Sequence, residues 1–106
     1  MSGIIVVVSY LPNPGSEEAL FDLIRGHVPL LQRLGLATDR TAIHGRAKDG
    51  TIIEVFEWKS EEHSRSAHRL PEVEALWSAM GKLAQFVPLA GIDETQRPFA
   101  HFQAWE

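Results

Sequence analysis

The chain has 106 residues, 44% of them hydrophobic and 23% charged. That length suits one domain with its own core, and that composition excludes disordered and collagen-like chains. Ten Lys and Arg against 14 Asp and Glu give a net charge of −4 with no basic stripe for nucleic acid, and the absence of cysteine excludes disulfide scaffolds, thiolate metal sites and cysteine nucleophiles.

Residues 1–106 read as a single domain. Met1-Ser2-Gly3 carries no positive charge ahead of the apolar run Ile4–Val8, and no small-residue cleavage site follows it. The run is far shorter than the ~20 apolar residues of a membrane helix. A cytoplasmic protein with no membrane partner is expected. Ile4 to Leu11 is nearly continuous apolar, which predicts a strand buried on both faces. Pro12-Asn13-Pro14-Gly15 breaks the chain, and Ser16 with Glu17 and Glu18 opens a helix. Leu20, Leu23, Ile24, His27, Val28, Leu31 and Leu34 keep helical spacing up to the stop at Gly35, with a kink expected at Pro29.

Arg40 to Lys48 and Thr51 to Trp58 read as strands joined by Asp49-Gly50. A two-residue type I′ turn there pairs Gly45 with Glu54 and Ile43 with Phe56. One face then carries Ile43, Gly45, Ala47, Ile52, Glu54, Phe56 and Trp58; the other carries Ala42, His44, Arg46, Ile53, Val55 and Glu57. Ser60 caps a second helical region with the stripe Leu70, Val73, Trp77, Met80 and Ala84, restarted at Pro71. Gln85 to Gly91 and Pro98 to Trp105 are extended in character, either one able to supply a fourth strand, with Asp93 to Arg97 a polar connection.

The order is βαββαβ, an α+β ferredoxin-like unit with an antiparallel sheet. Its helices cover one face. The other face is also apolar, and one chain has nothing left to cover it, so a homodimer is predicted.

This order, the Glu57-Trp58 ending the third strand, and Ala67-His68 followed by Pro71 on the second helix resemble the dimeric α+β barrel superfamily. Within it, the nearest branch is the antibiotic-biosynthesis-monooxygenase-like proteins. The resemblance covers most of the chain. It implies a homodimer whose two sheets form a barrel, with a pocket in each subunit between helices and sheet. Some members oxidise polycyclic aromatic substrates with O₂ and neither metal nor flavin; others degrade haem, isomerise lactones or have no known activity. The haem-degrading branch carries an Asn on its first strand, then a Trp and later a His on its second helix. Here the first strand has no Asn, and His68 precedes Trp77. The implied function is a small cofactor-independent monooxygenase-like oxidoreductase acting on a flat aromatic or polyketide-like small molecule, with no cofactor. The alternatives are a non-catalytic small-molecule-binding or sensing dimer, and a purely structural interaction module.

Among residues able to carry chemistry, Glu54 stands in an apolar row beside Ile52 and Phe56, opposite a glycine in the expected register. Desolvation there would raise its pKa and suit a general base or acid; the other reading is a structural carboxylate bound by a nearby donor. His27 lies in the apolar stripe of the first helix and forms an acid–histidine pair if the Glu54 face meets the helices; otherwise it bonds a backbone carbonyl. His68 matches the family's Ala-His position and turns inward if the helix restarts at Pro71. Tyr10, Phe56, Trp58 and Trp77 are candidate walls of a substrate pocket, or ordinary core. His63 and His101 read as packing, interface or surface residues. No His-Glu-x-x-His or comparable spacing marks a metal site.

Overall fold

The computed structural model describes residues 3–105. In chain order the elements are β1 (Ile4–Pro12), α1 (Glu17–Arg25), α2 (His27–Arg33), β2 (Ile43–Arg46), β3 (Ile52–Trp58), α3 (Glu61–Ala67), α4 (Pro71–Leu83), β4 (Ala84–Phe86) and β5 (Gln103–Ala104), with 3-10 turns at Leu89–Gly91 and Asp93–Gln96. The fold is α+β, with one antiparallel sheet in the order β4-β1-β3-β2-β5.

The expected kinked first helix is two helices broken at Gly26. Pro29 explains the break. It falls in the first turn of α2, where a missing N–H costs nothing. Ser60 caps α3 through the His63 amide, and α4 starts at Pro71 as its ring geometry favours.

The hairpin register differs from expectation by one residue. His44 pairs with Glu54, Gly45 with Ile53 and Ile43 with Val55. Ala47 N–H bonds Thr51 O at 2.8 Å and Gly50 N–H bonds Ala47 O at 3.0 Å, so the loop is Lys48-Asp49-Gly50. Only Gly50 in it has positive φ, at +95°. The type I′ turn needs two such residues; one belongs to a three-residue loop with a glycine bulge. A slip of one residue exchanges faces in β2. His44 therefore joins Ile52, Glu54, Phe56 and Trp58 on the helix side, while Ile43 and Gly45 turn away. A Cβ on Gly45 would lie 3.1 Å from Phe102, so the glycine admits the C-terminal segment against the sheet. Nothing stands near the Gly50 Cβ position. Gly50→Val should thus lose about 1–3 kcal/mol from backbone strain alone, measured by denaturant unfolding.

On the helix side the core forms two apolar lobes. Val28, Leu31, Phe56, Trp58 and Val73 belong to one, and Tyr10, Leu20, Ile24, Ile52 and Met80 to the other. Glu54 sits on β3 between Ile52 and Phe56, hence between the lobes.

The far face of the sheet corrects a second expectation, because the chain partly covers it itself. From β4 at one edge to β5 at the other, the C-terminal segment crosses that face. Ile92 buries Ala47 and Ile53, and Glu94 accepts the Lys48 amide at 2.9 Å. Trp105 then binds His44 O through its amide at 3.0 Å and stacks on Phe21 at 3.9 Å. Ile5, Val7 and Ile43 stay uncovered, at 54%, 41% and 67% exposure.

Candidate functional site

The β3 row places the Glu54 carboxylate under α2 and α4, fully buried. Three donors converge on it. Tyr10 O–H from β1 donates to Oε1 at 2.7 Å, and the His27 Nδ1 from α2 lies 2.8 Å from the same oxygen. His44 Nε2 from β2 lies 3.0 Å from Oε2. Register brings His44 there directly, since it is the cross-strand partner of Glu54.

The proton positions follow from the bonding partners. Trp77 Nε1–H lies 2.9 Å from His27 Nε2. An indole N–H only donates, so His27 Nε2 accepts and Nδ1 carries the hydrogen that goes to Glu54. His27 is thus a neutral imidazole held in one tautomer. Glu54 is an anion with three hydrogen bonds. Burial alone would push its carboxyl up, but hydrogen bonds from His27 and His44, the electrostatic pull of His27 and the Tyr10 hydrogen bond together outweigh burial and bring it down to about 2. This reverses the raised value expected from the sequence. Tyr10 is driven far above the ordinary phenol range, first by burial and then by the adjacent Glu54 charge.

In front of this network lies a cavity of about 180 Å³. Tyr10, His27, Phe56, Trp58, His68 and Trp77 line it, so six of the seven residues singled out in the sequence face one space; Val6, Val8 and Phe86 complete it. Glu54 does not line it and stands behind Tyr10 and His27. His68 caps α3, is exposed, and packs edge-on to Trp77 with ring centroids 4.8 Å apart. The break between α3 and α4 at Pro71 is what turns it toward the cavity. Phe86 lies edge-on to Tyr10 at 5.4 Å and is 55% exposed, at the cavity's other margin.

Sequence reasoning missed His44 as a member of the site. The signal was the hairpin loop: read as three residues, it sets His44 opposite Glu54. His63 bonds Ser60 at 2.7 Å, and His101 is exposed. Among the described residues, no group of three or more His, Cys, Asp or Glu is arranged to hold a metal ion, and no helix is long and apolar enough to cross a membrane.

Chemically, the site offers a basic lone pair backed by a carboxylate at the cavity wall, His27 Nε2. Its other nitrogen is anchored to a buried carboxylate that stabilises the imidazolium if a proton arrives, the arrangement of a histidine general base with an acidic partner. In the structure the Trp77 N–H occupies that lone pair, so a ligand reaches it by taking the place of the indole. Compared with protein-family models, curated proteins and solved structures, the chain matches none.

Proposed function

We propose that this chain binds a small hydroxylated aromatic molecule in the Tyr10–Trp77 cavity and removes a proton from it with His27 Nε2. The observation that carries this reading is the Trp77–His27–Glu54 chain of hydrogen bonds, which makes His27 an acceptor toward the cavity and backs it with a negative charge. Such a site favours a neutral O–H donor over an anion. The walls are aromatic, and a cavity of about 180 Å³ is little larger than the roughly 150 Å³ that accepts a benzene ring. A single-ring phenol or hydroquinone fits this better than a polycyclic polyketide. A deprotonated hydroquinone is electron-rich enough to react with O₂ directly, and cofactor-independent oxygenation is the reaction we assign: one oxygen atom enters the ring, the other leaves as water, and the ring supplies the four electrons by ending as a hydroxyquinone. Glu54 serves as a positioning residue, not as the base.

The same proposal makes the subunit a ferredoxin-like unit of the dimeric α+β barrel type, related to the antibiotic-biosynthesis-monooxygenase-like proteins. The β4-β1-β3-β2 order supports it, with β5 added at the edge. The uncovered Ile5, Val7 and Ile43, beside an apolar hollow bounded by Val55 and Phe102, are the surface for a second copy. Sedimentation at low micromolar concentration should show a dimer that Ile43→Lys weakens; a monomeric parent would remove the dimer from the proposal. A cytoplasmic location belongs to the proposal and rests on the sequence alone.

A second reading has its own observation. Every polar group that the network turns toward the cavity is already bonded, so a ligand that leaves Trp77 in place meets apolar wall and the His68 ring and is held without chemistry. Trp77→Phe separates the two. It keeps the ring and deletes the N–H that competes for His27. Phenol binding, followed by fluorescence of Trp58, should tighten about fivefold, the equivalent of one neutral hydrogen bond of ~1 kcal/mol. Hydroquinone should then consume O₂ without added cofactor. Unchanged phenol affinity would mean that the ligand does not reach His27, and binding without O₂ consumption would leave the sensor.

A further inference from the structure

The two oxygens of Glu54 face different sides of the molecule. Oε1 serves Tyr10 and His27 at the apolar cavity. Oε2 serves His44, whose side chain is 17% exposed and lines a second cleft beneath the α1–α2 break, about 280 Å³ in volume, with Arg25, Gln32, Asp39 and Thr41. The carboxylate is thus the partition between a ligand cavity and a polar cleft.

Of the four groups joined here, three are buried with their polar atoms bonded to one another or to Trp77. Glu54 is fully buried, Tyr10 is 1% exposed with its hydroxyl turned to the carboxylate, and His27 is 3% exposed with both nitrogens bonded. His44 differs. Its Nε2 must donate, because an anionic carboxylate only accepts. Its Nδ1 has no hydrogen-bond partner among the described residues, and its ring lies at the cleft. Histidine is the side chain whose charge ordinarily changes between pH 5 and 8. The charges around it are already engaged or apart from it. Arg25 pairs with Asp22 on α1, and Arg46 of β2 pairs with Glu17 of α1. Asp39 lines the cleft without a bond to His44, and Phe21 meets the ring edge-on at 5.9 Å.

We propose that His44 is the proton-exchange residue of the site, setting from the cleft side the charge that His27 experiences on the cavity side. The inference rests on the assignment of His27 as the proton acceptor. With His44 protonated, its charge cancels that of Glu54; with His44 neutral, the network carries −1. When a ligand O–H gives its proton to His27 Nε2, the N–H bond forms there as the O–H bond breaks. Release of the Nδ1 proton of His44 to water in the cleft then leaves the network's net charge unchanged. One proton enters and one leaves, and none crosses the carboxylate. His44 touches no ligand, so it is a positioning and charge-setting residue.

The test uses His44→Gln, whose amide N–H still donates to Oε2 but takes up no proton. The reporter is the His27 Nδ1–H resonance, followed by NMR without ligand from pH 5 to 8, the range in which histidines change charge. In the parent it should move in one step that shares its midpoint with the His44 ring, and in His44→Gln the step should be lost. A step that persists in the variant, or the absence of any step in the parent, overturns the proposal. If the variant does not fold, the parent decides alone, since different midpoints for His27 and His44 also overturn it. Phenol is the probe for the second arm: the parent should release a proton on binding it, and the variant should not. Release undiminished in the variant counts against His44. Failure of phenol to bind at all counts against the His27 assignment, while the ligand-free arm still judges His44.

Discussion

Glu54→Leu should destabilise the protein by about 3–5 kcal/mol, since each buried donor left without an acceptor costs about 1–3 kcal/mol. The side chain is similar in bulk, so the loss is not a cavity effect. It comes from Tyr10 O–H, His27 Nδ1–H and His44 Nε2–H, which converge on Glu54 at 2.7, 2.8 and 3.0 Å. Removing the acceptor strands these donors between two apolar lobes. Glu54→Gln should be milder, at about 1–2 kcal/mol, because it trades charge-assisted hydrogen bonds for neutral ones. Its carbonyl keeps Tyr10 and His27. Its amide then faces His44, which accepts by moving its hydrogen to Nδ1. Urea unfolding of the two variants measures the gap. Equal losses would mean that hydrogen bonding to Glu54 contributes little to the fold.

The same carboxyl makes stability pH-dependent. A group lowered from 4.5 to about 2 on folding contributes stability that is complete above the higher value and is lost as pH falls through the lower one. Glu54→Gln should remove this component, so parent and variant stabilities should converge as pH drops from 5 toward 2, the span that brackets the shift.

Sequence periodicity reaches most of this architecture. Ile4–Leu11, the α4 stripe and the Pro71 restart each follow from local chemistry that tertiary packing does not oppose. The acid–histidine pair was legible because His27 and Glu54 are polar residues in apolar rows on elements that must face each other. The hairpin register was not legible. An Asp-Gly pair serves a two-residue and a three-residue loop alike, and what separates them is the sign of φ at Asp49. That single ambiguity put His44 on the wrong face and gave Glu54 a glycine neighbour in place of a donor. The direction of the Glu54 shift failed for the same reason: burial is readable from a pattern, but three converging donors are not. The C-terminal cover was hidden too, because Ile92 and Phe102 are isolated apolar residues in a polar stretch with no periodicity.

His27→Gln should have the largest functional effect, a fall of about 10²–10⁴-fold in hydroquinone-dependent O₂ consumption, the range for loss of a general base. The glutamine amide can satisfy Glu54 and keep the fold, yet it has no lone pair basic enough to take a phenolic proton. Turnover should therefore fall much further than phenol binding, which loses its contact with His27 but keeps the aromatic walls Phe56, Trp58 and Trp77. Glu54→Gln should cost less than His27→Gln, because it removes the charge behind the base and not the base itself. That order separates the present assignment from one in which the carboxylate is the base. A buried anion held near 2 by three donors is a weak base with no surface at the cavity, whereas the imidazole in front of it has one nitrogen at the wall and the other on the carboxylate. If Glu54→Gln abolishes turnover and His27→Gln does not, the roles are reversed. If neither changes O₂ consumption, proton transfer through His27 and Glu54 is not the reaction, and the exposed ring of His68 is the other imidazole on the cavity wall.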